Sequence, residues 1–189
     1  DAMSPDAQGI LAVVATEETA GSEALAAALE GARLVAVLTQ AQDPGNAGTI
    51  IRAADAAGAD AVVLVRGSVD PTAPKVVRST AGSLFHLPVV TGVALDDAVT
   101  ALHNAGLTVL AADGRGDFDL FEAESLLEAP SAWLLGNEAH GLPSEALSQA
   151  DAVVSIPICG KAESLNVAAA AAVCLYASAR AQAQNSGRS

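Results

Sequence analysis

Apolar runs of four to seven residues, each bounded by turn residues, recur at 10–15, 34–39, 61–65, 107–111, 132–135 and 152–158. They are too short for core helices and lack polar alternation, which predicts strands buried on both faces. Between them, residues 22–30, 47–57, 74–81, 96–104, 144–149 and a final segment 165–180 predict helices. Asp96 and Asp97 put acidic groups at the positive end of one of these, and Gly106 stops it. Strands alternating with helices predict an α/β domain with a mainly parallel sheet flanked by helices. No repeat or low-complexity linker divides the chain, so residues 1–181 are expected to form one domain and 182–189 a disordered tail.

Composition narrows this picture. The chain has 189 residues, 51% of them apolar and only 3% aromatic, which suits helices packed on a buried sheet and argues against an aromatic platform for stacking bases. A formal charge of −13 opposes a nucleic-acid partner, because phosphate contacts need clustered Lys and Arg. Cys159 and Cys174 have no metal-ligand spacing and are expected to be reduced, packing-type thiols of a cytoplasmic protein. The longest uncharged stretch, 164–179, has 16 residues where a membrane span needs about 20, and no secretory signal is visible, so no membrane partner is expected. Position 1 is Asp rather than Met, as expected either of a piece of a longer chain or of a sequence with a foreign N-terminal remnant.

Three loops carry more chemistry than a connector needs. "TQAQDPGNAGTIIRAADAAG" (39–58) leaves a strand, turns at Pro44-Gly45 and enters a helix near Asn46, with Arg52 six residues on. Both side chains can look toward one strand-end crevice; the alternative is a plain turn, an Asn cap and a surface Arg. "WLLGNEAHGLPSEAL" (133–147) ends a strand in Gly136-Asn137-Glu138. It has neither the Lys-Ser/Thr of a phosphate loop nor the dinucleotide fingerprint, and His140 in its glycine turn is assigned no catalytic role. "CGKAESLNVAAAAAV" (159–173) sets Glu163-Ser164-Leu165-Asn166 at the mouth of an alanine-rich helix, where backbone N–H groups lack partners. Ser164 alone is explained as its N-cap. Together, three loops rich in Gly, Asn and carboxylate beyond the carboxyl ends of strands predict a binding crevice. "DGRGDFD" (113–119) is an acidic turn, since the Glu that completes a calcium loop is missing. The chain has no Gly-x-Ser-x-Gly elbow and no Cys/His cluster, so a hydrolase and a zinc enzyme are both disfavoured.

In order and spacing, "DPGNAGTIIRAADAAGA", "LLGNEAHGL" and "IPICGKAESLNVAAAAAV" resemble the three signature motifs of the SpoU (TrmH-like) RNA 2′-O-ribose methyltransferases of the SPOUT superfamily. The resemblance runs from about Gln8 to Tyr176 and takes in "VVRSTAGSLFHLPV". It implies a C-terminal trefoil knot, S-adenosyl-L-methionine as cofactor, an RNA substrate (rRNA favoured over tRNA), a homodimer and no metal. It assigns catalytic positions to Asn46, Arg52, Glu138, Ser164 and Asn166. It assigns the cofactor to Leu135, Gly136, Asn137, Ile156, Ile158, Ser164 and Leu165. Ala168, where many members carry Ser, and Lys161 depart from the pattern without removing a matched position. The junction "SPDAQGI" resembles the point at which many relatives carry a preceding RNA-binding domain, and its absence here is expected to account for the acidic charge. A non-catalytic nucleotide-binding α/β module that regulates a partner is the alternative.

Holding a ribose 2′-oxygen, a methyl carbon and sulfur in line supplies up to roughly 7–11 kcal/mol by orientation alone. A guanidinium, with a pKa above about 12, is a poor base. Arg52 is therefore expected to pair with the adjacent phosphate and stabilise the developing alkoxide.

Overall fold

The structure is a computed structural model that describes residues 19–137 and 141–186. The strand expected at 10–15 lies outside the described residues, as do Glu138 and His140.

The runs Leu34–Leu38 (β1), Ala61–Val65 (β2) and Ser131–Leu135 (β6) are buried at every position. Val89–Val93 (β3), Thr108–Ala112 (β4), Phe118–Asp119 (β5) and Ala152–Ser155 (β7) complete a seven-stranded sheet. Its order is β3-β2-β1-β6-β4-β7-β5, and every pairing is parallel. Successive side chains of β1 point to opposite faces, so each strand feeds two cores. Leu34, Ala36 and Leu38 join Val62, Leu64, Leu110 and Trp133 beneath Pro44–Ala57 (α2), Pro74–Thr80 (α3), Glu124–Leu127 (α5) and Val167–Ser186 (α7). Val35 and Val37 join Val63, Val109 and Leu134 beneath Gly21–Ala28 (α1), Leu95–Asn104 (α4) and Ser144–Gln149 (α6). Burying each Val or Leu in such a core stabilises the fold by about 1.5–3 kcal/mol.

Several expectations need correction. β7 ends at Ser155 instead of continuing to 158; its last register pair is Asp119 with Ser155, and Pro157 has no N–H to donate. β3 was not expected from "PVVTGV", whose Gly92 adopts φ +75° and interrupts the apolar run. Helix α2 starts at Pro44, because Asp43 Oδ1 accepts Asn46 N–H at 2.8 Å and proline fits the first turn; Asp43, not Asn46, is the cap. It ends at Gly58, in the left-handed conformation.

Helix α7 extends well past the end expected at 180, and residues 182–186 are helical rather than tail. Three buried polar contacts hold its distal half. Trp133 Nε1 donates to Ser178 Oγ at 3.0 Å, and Gln182 Nε2 donates to Arg33 O at 3.1 Å and Ala129 O at 2.9 Å. Arg33 and Ala129 lie before β1 and β6, so α7 runs from the carboxyl ends of the strands back to their amino ends. Cys174 is buried on it, which pushes its thiol up to about 12, whereas Cys159 is exposed and does not pack as expected. Among the described residues no helix is long and apolar enough to cross a membrane.

Candidate functional site

A cleft of about 540 Å3 opens at the carboxyl ends of β4, β6 and β7, where open α/β sheets bind ligands. The exits of these three strands and the start of α7 form its walls.

The β6 exit is tightly folded. Asn137 N donates to Gly141 O at 3.0 Å and Gly141 N returns to Asn137 O at 2.9 Å, closing a small loop. Gly136 sits beneath it with no room for a side chain, since a Cβ would lie 2.6 Å from Leu142 N and 2.7 Å from Gly141 O. Asn137 Nδ2 reaches the β1 exit and donates to Gln40 O at 3.0 Å. Beside it, Thr39 donates from N and Oγ1 to Leu135 O at 2.9 and 3.0 Å. Three hydrogen bonds therefore tie the β1 exit to the β6 exit.

At the mouth of α7, Asn166 does two jobs. Its Oδ1 accepts Ala168 N at 2.9 Å and Ala169 N at 3.4 Å, satisfying N–H groups of the first turn. Its Nδ2 donates at 3.1 Å to Asn46 Oδ1, 120 residues away on α2. Asn166, and not Ser164, is thus the cap of α7. Ser164 is exposed in the preceding loop and lines the cleft.

Gly136, Asn137, Ile156, Ile158, Ser164 and Leu165 line the cleft. Leu135 does not: its side chain is buried under the helices, and its carbonyl is taken by Thr39. Asn46 reaches the site through Asn166. Arg52 is exposed on α2, outside the cleft lining, with no hydrogen-bond or ion-pair partner among the described residues.

Sequence reasoning missed the β4 exit. Asp113 and Gly114 line the cleft, and the Asp113 side chain is only one-tenth exposed. Arg115 folds back on it, with its N and Nε donating to Oδ1 at 2.9 and 2.8 Å and its Nη2 to Oδ2 at 3.0 Å. These bonds, the side-chain ones foremost, hold the Asp113 carboxyl below its usual range. The acidic turn is real, and its position beyond a strand's carboxyl end was the overlooked signal. Glu163 also lines the cleft, and no Lys or Arg among the described residues does. No group of three or more His, Cys, Asp or Glu among the described residues could hold a metal ion.

An open parallel sheet with a cleft at the carboxyl ends of its strands, lined by Ile156, Ile158 and Leu165 with Glu163 among them, defines an α/β domain of the ligand-binding type. The family follows from comparison. The SpoU rRNA Methylase family model matches residues 33–176, and the chain belongs to that family. It is 42% identical over 151 residues to the 23S rRNA (guanosine(2553)-2′-O)-methyltransferase RlmP of Bacillus subtilis, covering 78% of this chain and 58% of the relative. The SpoU methyltransferase AviRb of Streptomyces viridochromogenes, solved in complex with the cofactor AdoMet, superposes with a TM-score of 0.72 at 37% identity, over 79% of this chain and 60% of that one. A structure described as giving insights into "2-OH methylation of C/U34 on tRNA" matches with a TM-score of 0.71 at 31% identity, over 80% of this chain and 97% of that one. The chain spans about half the length of the curated relatives it matches.

Proposed function

We propose that residues up to 181 form the catalytic domain of an S-adenosyl-L-methionine-dependent RNA methyltransferase acting on a ribose 2′-hydroxyl, with ribosomal RNA favoured over transfer RNA. The observation that carries the reading is the bond between Asn166 and Asn46, which couples the first and third motifs beside a cleft lined by the second and third. The cleft fits the cofactor. Ile156, Ile158 and Leu165 offer apolar surface to an adenosine, and Glu163 suits a sulfonium or ammonium charge. When bound, S-adenosylmethionine supplies a methyl carbon activated by positive sulfur.

The residues' tasks are to align the ribose and to manage one proton. Asn166 fixes Asn46 toward the substrate side, and Ser164 presents a hydroxyl in the cleft. Arg52, exposed and unpaired among the described residues, is available to fork a phosphate next to the target ribose and steady the developing alkoxide, the 2′-hydroxyl proton leaving by way of that phosphate to solvent. Glu138, outside the described residues, is assigned to organise the β6 exit loop. The reading includes a trefoil knot formed as α7 returns across the sheet, a homodimer packed through the small-residue surface of α7, and a cytoplasmic location.

Calorimetric titration tests it. The folded chain is expected to bind S-adenosylmethionine and S-adenosylhomocysteine but not NADH, with Asn166→Ala weakening both. A folded chain that ignores both sulfur nucleotides refutes the methyltransferase reading and favours a nucleotide-binding module without chemistry. A concentration-independent monomer mass in sedimentation refutes the dimer.

A further inference from the structure

The nine cations of this acidic chain are unevenly spread. Residues 44–88 hold Arg52, Arg66, Lys75 and Arg78 against Asp55, Asp60 and Asp70, whereas residues 89–186 hold three cations against twelve acids. In the first segment each acid is already occupied. Asp55 accepts from His86 Nδ1 at 2.8 Å, Asp60 from Arg33 N and Leu34 N at 2.7 and 3.0 Å, and Asp70 from Thr72 N and Oγ1 at 2.8 and 2.7 Å. Asp43, just before it, caps α2. The ion pairs among the described residues involve His86, His103 and Arg115, and none involves Arg52, Lys75 or Arg78. All three are exposed.

Packing brings them to one face. A Cβ on Gly48 would lie 2.8 Å from both Val76 O and Ser79 Cβ, so α2 and α3 cross at contact distance there. Ser79 Oγ also donates to Pro44 O at 3.0 Å. Lys75 and Arg78 flank those contact residues, three apart and hence on one side of α3. Arg52 stands one turn beyond Gly48 on the same side of α2, before Asp55 engages His86. These cations make no ion pair among the described residues, and they lie on or beside the helix that carries Asn46.

We propose that Arg52, Lys75 and Arg78 form a phosphate track along the α2–α3 face, over which the RNA backbone runs as it delivers its ribose to the cleft. The track rests on the RNA-methyl-transfer reading. It eases the charge conflict, because residues 89–186, with three cations against twelve acids, repel RNA and so restrict how the strand can approach.

The test compares the wild-type chain with a Lys75→Ala/Arg78→Ala variant and with Arg33→Ala, a cation at the opposite, amino end of β1. Binding of fragmented 23S ribosomal RNA is measured across a potassium chloride series, and S-adenosylmethionine binding and thermal unfolding serve as controls. The double variant is expected to lower the slope of log K against log salt by roughly 1.4–1.8, two phosphate contacts at about 0.7–0.9 each, with cofactor affinity and melting unchanged. Arg33→Ala is expected to leave the slope alone. Equal slopes in all three proteins overturn the track, and so does a wild-type chain that binds the cofactor but no RNA. A chain that binds RNA with the expected slope change yet takes no S-adenosylmethionine keeps the track and removes the methyl-transfer reading.

Discussion

Asn166 joins two functions that substitution can separate. Asp at this position keeps an oxygen for Ala168 N and Ala169 N but loses the amide that donates to Asn46. A carboxylate at a helix N-terminus is favourable by about 0.3–1 kcal/mol, which roughly offsets the loss of about 0.5–1.5 kcal/mol with the bond to Asn46, so Asn166→Asp should unfold close to the wild-type temperature. Asn166→Ala loses both functions: about 1 kcal/mol for the cap and about 0.5–1.5 kcal/mol for the bond to Asn46. At about 2–4 °C per kcal/mol for a chain of this size, Asn166→Ala should melt roughly 3–10 °C lower. Methyl transfer should fall in both variants, because both release Asn46. Scanning calorimetry with tritiated-methyl transfer to RNA reads the two quantities, and a cycle with Asn46→Ala isolates the coupling. If Asn166→Asp melts as low as Asn166→Ala, Asn166 is not the cap. If Asn166→Asp keeps wild-type kcat/KM, the bridge to Asn46 does not serve the reaction.

Gly136→Ala should force the β6 exit away from Gly141 and Leu142, costing about 1–3 kcal/mol by overpacking, and should weaken S-adenosylmethionine binding in calorimetry; unchanged affinity would show that the cleft tolerates a wider loop. Ser178→Ala strips the acceptor from the buried indole of Trp133, the single Trp, and should lower stability by about 1–3 kcal/mol in a urea titration followed by its fluorescence; a neutral result would mean the indole finds another acceptor. The Arg115 contact lowers the Asp113 pKa from 3.8, so its contribution is full above that pH and is lost as pH falls through the lower folded value. The stability gap between wild type and Arg115→Ala should therefore shrink below about pH 3.8 and in high salt, Arg115 being three-quarters exposed; a gap that widens in acid contradicts the assignment.

The strands that became β1, β2 and β6 were legible because central parallel strands leave their burial in an unbroken apolar run. β3 hid behind Gly92, and the length of α7 hid because its end is fixed by Gln182 bonding to carbonyls 149 and 53 residues away, which no local composition records. The same limit applied to the site. The loops at Asn46, Gly136 and Ser164 stood out by composition, but only the folded chain shows that Asn166 holds Asn46 and that Ser164 leaves the cap to its neighbour. Asp113 was visible as a turn residue and invisible as a wall of the cleft, because its neighbourhood is set by strand order rather than by sequence distance.

Helix α7 begins as one wall of the cleft and ends bonded beneath β1 and β6. The wall of the cleft and the contacts at Arg33 and Ala129 are thus parts of one helix, set at opposite ends of the strands. A ligand that needs that wall in place binds only molecules in which the helix is docked, so its binding stabilises the docked state by mass action.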